Sequence, residues 1–401
     1  MKWAEKSLDE LGTVARGRSR HRPRDAAPLY GGPYPFVQTG DVKHAGLFLT
    51  SFSQTYNEVG LEQSKLWPQG TLCITIAANI AETAILGFDA CFPDSVIGFV
   101  SDDSKCDVRF IKYQFETIKQ HYQQVSQGAA QDNLSLEKLL SFKLFVPHVE
   151  EQRKIADILS AYDNLIENNR RRMKLLEESA RQLYQEWFVR LRFPGHEHTR
   201  IINGVPEGWR RMKLADICES IDYGFTASAA HEEVGPKFLR ITDIVPEIID
   251  WNSVPYCEIK EERFERFRLH EGDIVIARTG ATVGYAKRLH KRHPDTVFAS
   301  YLVRLRLNSQ YDNLIFGIFV ESEAYQNYVQ SQIGGAAQPN ANAQVLTGVE
   351  ILVPSPFYQR SFHEFIEPMV DEREILQLQN QKLRAARDLL LPRLMSGDIG
   401  V

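Results

Sequence analysis

The sequence is poor in cysteine, in long hydrophobic runs and in catalytic signatures. Its five cysteines (Cys73, Cys91, Cys106, Cys218, Cys257) are an odd number among 401 residues, and none forms a Cys-x-x-Cys pair. That argues against a disulfide framework or a zinc ribbon, and for free thiols in a reducing compartment. Met1 to Lys6 lacks the apolar core of a signal peptide. The most apolar stretch, Leu72 to Phe88, is interrupted by Asn79 and Glu82, so it reads as strand and loop rather than a membrane span. Neither a Gly-x-x-x-x-Gly-Lys-Ser/Thr phosphate loop nor a Gly-x-Gly-x-x-Gly turn occurs. The Asn-Pro-Pro-aromatic motif of amino-methyltransferases is also missing; Pro339-Asn340 comes nearest and does not fit. Asp94 followed by Asp103-Ser104-Lys105 superficially resembles a nuclease metal site, but that spacing is short and common and Asp102-Asp103 reads as a solvated turn; His196-Glu197-His198 and the histidines of His290–His293 lack zinc-site spacing and read as loops. An excess of one charge is absent too: 47 Lys and Arg face 52 Asp and Glu, a net charge of −5. Any nucleic-acid surface therefore has to come from local clustering. The expectation is a cytoplasmic chain of two or three domains that binds no metal and spans no membrane.

What is present is a duplication. Trp3 ahead of Leu8-Asp9-Glu10-Leu11 matches Trp209 ahead of Leu214-Ala215-Asp216-Ile217, 206 residues on. Phe36–Val42 matches Phe238–Ile244, and Gly70–Ile74 matches Gly272–Ile276, both 202 apart. Gly128-Ala129-Ala130-Gln131 matches Gly335-Ala336-Ala337-Gln338, Val146-Pro147 matches Val353-Pro354, and Gln152 matches Gln359, all 207 apart. Each copy combines short β-rich runs bounded by Gly, Pro and Asn with amphipathic helices near 110–124 and 313–329. A long helical run follows in each. Residues 1–149 form the first globular domain, 150–204 a long helix and linker, 205–355 the second domain, and 356–401 the second long helix. The fold class is α/β (α+β).

The long helices alternate apolar residues at three and four, the spacing of a coiled-coil seam. An antiparallel pairing in which facing residue numbers add to 549 sets Asn169 against Asn380. It also sets Ile155 against Leu394, Leu159 against Leu390, Ile166 against Leu383, Met173 against Leu376, Ala180 against Met369, Leu183 against Ile366 and Trp187 against Phe362. Arg387 and Arg373 then lie beside Tyr162 and Leu176, where their stems cover the seam and their heads reach water. Ser355-Pro356 suits a helix start. Pro368 is expected to kink the second helix or mark its true beginning.

Signals for DNA are local. Arg16, Arg18, Arg20, Arg22 and Arg24 crowd into nine residues, and alternate arginines in an extended loop can follow phosphates or fork onto guanine. Lys287 and Arg288 open a comparable basic run ending at His293. Matched loops add Thr75 and Asn79 in the first copy, and Arg240, Arg278 and Thr279 in the second. Gln131 and Gln338 can address adenine or simply close turns.

The duplication, the phrase Glu186-Trp187-Phe188-Val189-Arg190-Leu191-Arg192-Phe193-Pro194-Gly195 with Val205-Pro206-Glu207-Gly208-Trp209, and Leu390–Ile399 together resemble the DNA-specificity subunits of type I restriction–modification systems. The resemblance implies two target-recognition domains held by an antiparallel helix pair, reading the halves of a bipartite, asymmetric site on double-stranded DNA. It implies a non-catalytic chain that binds no cofactor itself. Two modification (methyltransferase) subunits using S-adenosylmethionine, and two restriction (translocase–nuclease) subunits using ATP and Mg²⁺, are the implied partners in phage defence. The alternatives are a helical scaffold for protein partners that does not touch DNA, and a specificity protein of another phage-defence methylase.

Overall fold

The computed structural model describes residues 3–77, 81–125, 135–246, 248–334 and 339–401, with side chains 120–125 excepted. The chain divides into two compact units, residues 1–171 with 376–401, and residues 172–375. The division cuts through both long helices instead of falling at their starts, because each helix gives one end to the core of each unit.

In the first unit, strands β1 (Gly12–Arg16), β2 (Phe48–Leu49), β3 (Leu72–Thr75), β4 (Thr83–Leu86) and β5 (Val96–Ser101) form one sheet in the order β1-β5-β3-β4-β2. A second sheet is built on Tyr30–Phe36, which runs parallel to Ala90–Cys91. Helix α1 (Val108–Val125) and the first turns of α2 (Val149–Tyr184) cover the main sheet. Their contact is apolar: Leu72, Ile74, Ile97 and Phe99 meet Phe110, Ile155 and Leu159, all buried.

The second unit repeats this plan with β6 (Cys218–Tyr223), β7 (Ile274–Ala277), β8 (Ala286–Arg288) and β9 (Leu302–Leu307), ordered β6-β9-β7-β8. Lys237–Leu239 pairs in parallel with Thr296–Phe298, as its counterpart does in the first unit. The apolar run expected as one helix near 313–329 is two, α3 (Asn313–Val320) and α4 (Glu323–Ile333). The Ser322 hydroxyl accepts from the Tyr325 amide and starts the second. Helix α5 (Pro356–Met395) runs through Pro368 without a break. Proline there forfeits one backbone bond, and burial of Phe362 and Ile366 nearby outweighs that loss.

One latch is common to both units. Gln152 donates to the Pro147 carbonyl at 2.9 Å and accepts from the Asp107 amide at 3.1 Å. Gln359 donates to Pro354 at 2.9 Å and accepts from Asp312 at 2.9 Å. Each glutamine ties the start of a long helix to the head of the helix it covers.

In the first unit the two long helices run antiparallel with Asn169 and Asn380 on one layer. Asn169 Nδ2 donates to Asn380 Oδ1 at 3.0 Å, and Asn380 Nδ2 donates to the Ile166 carbonyl at 3.4 Å. Ile155, Leu159, Ile166 and Leu376 are buried on this seam, with Tyr162, Leu383 and Leu390 half-buried. Asp163 accepts from Tyr113 Oη at 2.5 Å and also pairs with Arg387. The Arg387 head is thus bound by carboxylates, where water was expected. In the second unit Arg373 likewise pairs with Glu177 at 3.0 Å. A half-buried guanidinium gains more from a carboxylate than from partial hydration.

Past Tyr184 the helix widens into a π-type turn, Gln185–Val189, that points both Trp187 and Phe188 inward. Trp187 meets Phe362 edge-on at 5.6 Å. Met173, Ala180 and Ile366 are buried, and Leu176, Leu183 and Met369 half-buried. The stretch read as a linker is folded: Phe193 is fully buried against Trp209 at 4.8 Å and Tyr358 at 4.7 Å. A tight hairpin then turns at Asn203 and Gly204, both with positive φ, the conformation Asn-Gly favours. Among the described residues no helix is long and apolar enough to cross a membrane.

Candidate nucleic-acid interface

Two of the sequence-predicted loops emerge at the same end of the sheet in each unit. In the first, β1 ends with Arg16 opposite Ile97, and β3 ends with Thr75 opposite Val96. In the second, β6 ends with Tyr223 opposite Val303, and β7 ends with Ala277 opposite Leu302. The loops correspond bond for bond beyond the strands. Ile76 donates its amide to Ser95 at 3.0 Å, and Arg278 donates to Tyr301 at 3.0 Å. Arg18 donates to Phe92 at 3.0 Å, and Phe225 to Phe298 at 2.8 Å. The scaffold recurs in both copies while the side chains on it differ.

The arginine run of the first unit is only partly available. Arg18 donates Nε to the Ser64 carbonyl at 2.6 Å. Arg22 donates to the Ser19 carbonyl at 2.7 Å, and Arg24 pairs with Asp94 at 2.6 Å. These contacts tie the loop to the Ser64 and Asp94 segments of the same unit. Arg16 and Arg20 are exposed and, among the described residues, have no carboxylate within ion-pairing distance. The Thr75 hydroxyl is buried and accepts from the Glu82 amide at 3.0 Å, so it closes the β3–β4 turn from inside. Asn79, Gln131 and Gln338 lie outside the described residues.

The basic run of the second unit faces the protein. Arg288 is buried, donating Nε to Asn313 Oδ1 at 2.6 Å and its backbone amide to Glu321 at 3.1 Å. Lys287 reaches Glu321 at 3.4 Å, His290 meets Glu374 at 2.8 Å, and Lys291 pairs with Asp371 at 2.6 Å. Burial, reinforced by the charges of Arg288 and Arg373, holds the His290 imidazole below its ordinary pKa against the pull of Glu374. The density that looked like a phosphate-binding stripe therefore clamps α5 to its domain. Sequence alone hid this because the acidic partners lie between 33 and some 80 residues away. Arg240 forks onto Asp243, at 3.0 and 2.9 Å, and its amide caps the same carboxylate at 2.8 Å. Gln38 and Asp41 make the same amide cap at 2.8 Å in the first unit.

Arg278 and Thr279 are differently placed. Thr279 bridges to Asn340, Gly280 donates to the Pro339 carbonyl at 3.0 Å, and Ala341 donates to the Arg278 carbonyl at 2.8 Å. The loop after β7 and the Pro339–Asn340 segment are thus one surface. The Arg278 guanidinium lies 4.8 Å from the centre of the Tyr223 ring, with a long contact of 3.4 Å to Asn340 Oδ1. The Tyr223 hydroxyl accepts from the Ala343 amide at 3.0 Å, which fixes the ring under the arginine. Tyr301, 60% exposed, and Tyr285 stand at the same sheet end. Sequence reading missed these three tyrosines. Aligning Tyr223 with Arg16 and Tyr301 with Ser95 exposes aromatics at positions that need no core residue. An exposed sheet end with arginine, threonine, asparagine and aromatic rings offers hydrogen-bond donors and stacking faces to nucleic acid. Among the described residues no group of three or more His, Cys, Asp or Glu side chains is placed to hold a metal.

Comparison with known proteins agrees with this geometry. The model of a family described as the type I restriction modification DNA specificity domain matches twice, over residues 1–178 and 206–385. The type I restriction enzyme MjaIX specificity subunit of Methanocaldococcus jannaschii is 23% identical, with 100% of this chain and 94% of that protein covered. The EcoKI specificity subunit of Escherichia coli is 20% identical, over 86% of this chain and 78% of that one. The crystal structure of the type I restriction-modification S subunit from M. genitalium has a TM-score of 0.61 at 14% identity, covering 98% of this chain and 96% of the other, a likeness of fold.

Proposed function

The chain belongs to the type I restriction–modification DNA specificity family, and from that premise we propose that its two sheet ends read the two unlike halves of one bipartite DNA site. It is a specificity subunit, the DNA-recognising and non-catalytic part of a type I restriction–modification complex. The observation that carries the bipartite, asymmetric reading is duplication with divergence. The same strand ends and backbone bonds recur in both units, while Arg16, Ile76 and Ser95 stand where the second unit has Tyr223, Arg278 and Tyr301. Equal scaffolds with unequal donors select unequal base sequences. Two modification subunits carrying S-adenosylmethionine and two restriction subunits using ATP and Mg²⁺ complete the assembly in this reading, in the cytoplasm.

The test is to map methylated adenines in DNA from cells that express the chain with its modification partner, and from cells lacking it. A two-part motif with different halves that disappears with the chain is the expected result. A continuous motif, a palindromic one, or methylation indifferent to the chain would overturn the reading. A protein scaffold that ignores DNA would also show no steep loss of duplex affinity with added salt, whereas a phosphate-contacting reader does.

A further inference from the structure

We propose that Arg278 is the residue by which the second unit recognises a guanine, through the O6 and N7 acceptors on its major-groove edge. The inference rests on the reading that this sheet end faces DNA. Several arginines of the second unit are already engaged: Arg240, Arg268, Arg304, Arg306 and Arg373 hold carboxylates, and Arg288 is buried on Asn313. Arg278 has a different environment. No carboxylate lies within ion-pairing distance of it among the described residues, and its buried Nε makes no hydrogen bond. Its fork is nevertheless held, stacked on the Tyr223 ring at 4.8 Å and touching Asn340 at 3.4 Å.

That combination suits base reading better than phosphate binding. A phosphate is satisfied by a mobile point charge, whereas two acceptors on one base edge require a planar fork fixed in direction. Arg278 follows β7 directly, and its backbone is pinned on both sides by the Tyr301 carbonyl and the Ala341 amide. Little side-chain freedom remains to be lost when a base arrives. The matched position in the first unit is Ile76, 5% exposed, which offers no donor. The guanine is therefore expected in only one half of the site.

The experiment uses the complete modification complex and duplexes carrying its mapped methylation motif. Each guanine of the motif is replaced in turn by 7-deazaguanine, which deletes N7 and leaves base pairing intact. The wild-type complex should lose affinity at one position, by roughly 5- to 150-fold. Arg278→Ala should lose a similar factor on the unmodified duplex, become insensitive to deazaguanine there, and keep its slope of affinity against salt. Arg278→Lys retains a charge without the fork and should recover little, and unaltered thermal melting of both variants shows that the fold is intact. Uniform weakening on all sequences with a salt slope lower by about 0.9 would make Arg278 a phosphate contact. Continued deazaguanine sensitivity of Arg278→Ala at every position would place the guanine reader elsewhere. Either result overturns the proposal while leaving the bipartite reading intact. Absence of any two-part motif from the wild-type complex would instead remove the reading on which the proposal stands.

Discussion

The Asn169–Asn380 pair is a buried amide couple in an otherwise apolar seam, and its energetics can be worked through. Both side chains are buried, at 6% and 3% exposure. Between them run the 3.0 Å bond from Asn169 to Asn380, the 3.4 Å bond from Asn380 to the Ile166 carbonyl, and a 3.5 Å contact from Asn169 to Gln379. Asn380→Leu removes the first two and leaves the Asn169 amide with only the longest contact. An orphaned buried polar group costs about 1–3 kcal/mol, so that single substitution should loosen the pair by this amount. Asn169→Leu strands the Asn380 carbonyl oxygen and should cost about the same. The double leucine variant strands nothing and adds apolar burial, so it should come close to wild type or exceed it. The cycle then gives an interaction energy of about 2–6 kcal/mol between the two sites. Native-state hydrogen exchange of the backbone amides around 166–170 and 379–383 reads this local stability directly. Additive single and double effects would refute the argument, because they would mean that neither amide depends on the other. The double variant should also lose register specificity, since polar core pairs penalise slipped alignments that leucine tolerates.

Arg16→Ala with Arg20→Ala should lower the slope of log affinity against log salt by roughly 1.8, about 0.9 for each phosphate left without its arginine; replacing Arg22 and Arg24, which are held by the Ser19 carbonyl and Asp94, should change it much less. Arg288→Ala should destabilise the second unit by about 2–3 kcal/mol in chemical denaturation by stranding buried partners, while the salt slope of DNA binding stays as it was. The depressed pKa of His290 means that, below the unfolded value of 6.5, the unfolded chain binds the extra proton first. The corresponding stability is present above pH 6.5 and is lost as pH falls from there toward the lower folded value, so melting of the second unit should decline with acidification over that interval and less so in His290→Gln.

The duplication and the helix starts were legible because they rest on local periodicity and on residue identities that recur at nearly fixed distance. Gln152 and Gln359 stood out as a matched pair 207 residues apart, and the structure gives them identical work. The Asn169–Asn380 layer followed from heptad arithmetic and the aversion of amides to apolar neighbours. The division of labour among arginines was not legible. Arg278 and Arg288 lie ten residues apart in similar company, yet one is presented at a sheet end and the other is buried against α3. The difference is made by Asn313, Glu321 and Glu374, which only folding brings close. Pro368 misled for a related reason. A local breaker rule gave way to burial of side chains whose contacts are long-range.

The first unit draws its core from both sides of the second in sequence. Leu391, Leu394 and Met395 pack with Leu8, Phe110 and Ile155, and Gly397 lies against the Trp3 ring. On a translating ribosome this fixes an order of events. Residues 3–171 leave the exit tunnel early, but with part of their apolar surface uncovered. The second unit is continuous in sequence and can close as soon as residue 375 emerges. The first unit is completed only after 376–397 have followed, some 200 residues later. A nascent chain arrested before that point should carry a finished second unit and an open first one. That intermediate exposes Trp3, Phe110 and the α2 seam, which makes it the stage of synthesis most in need of chaperone cover.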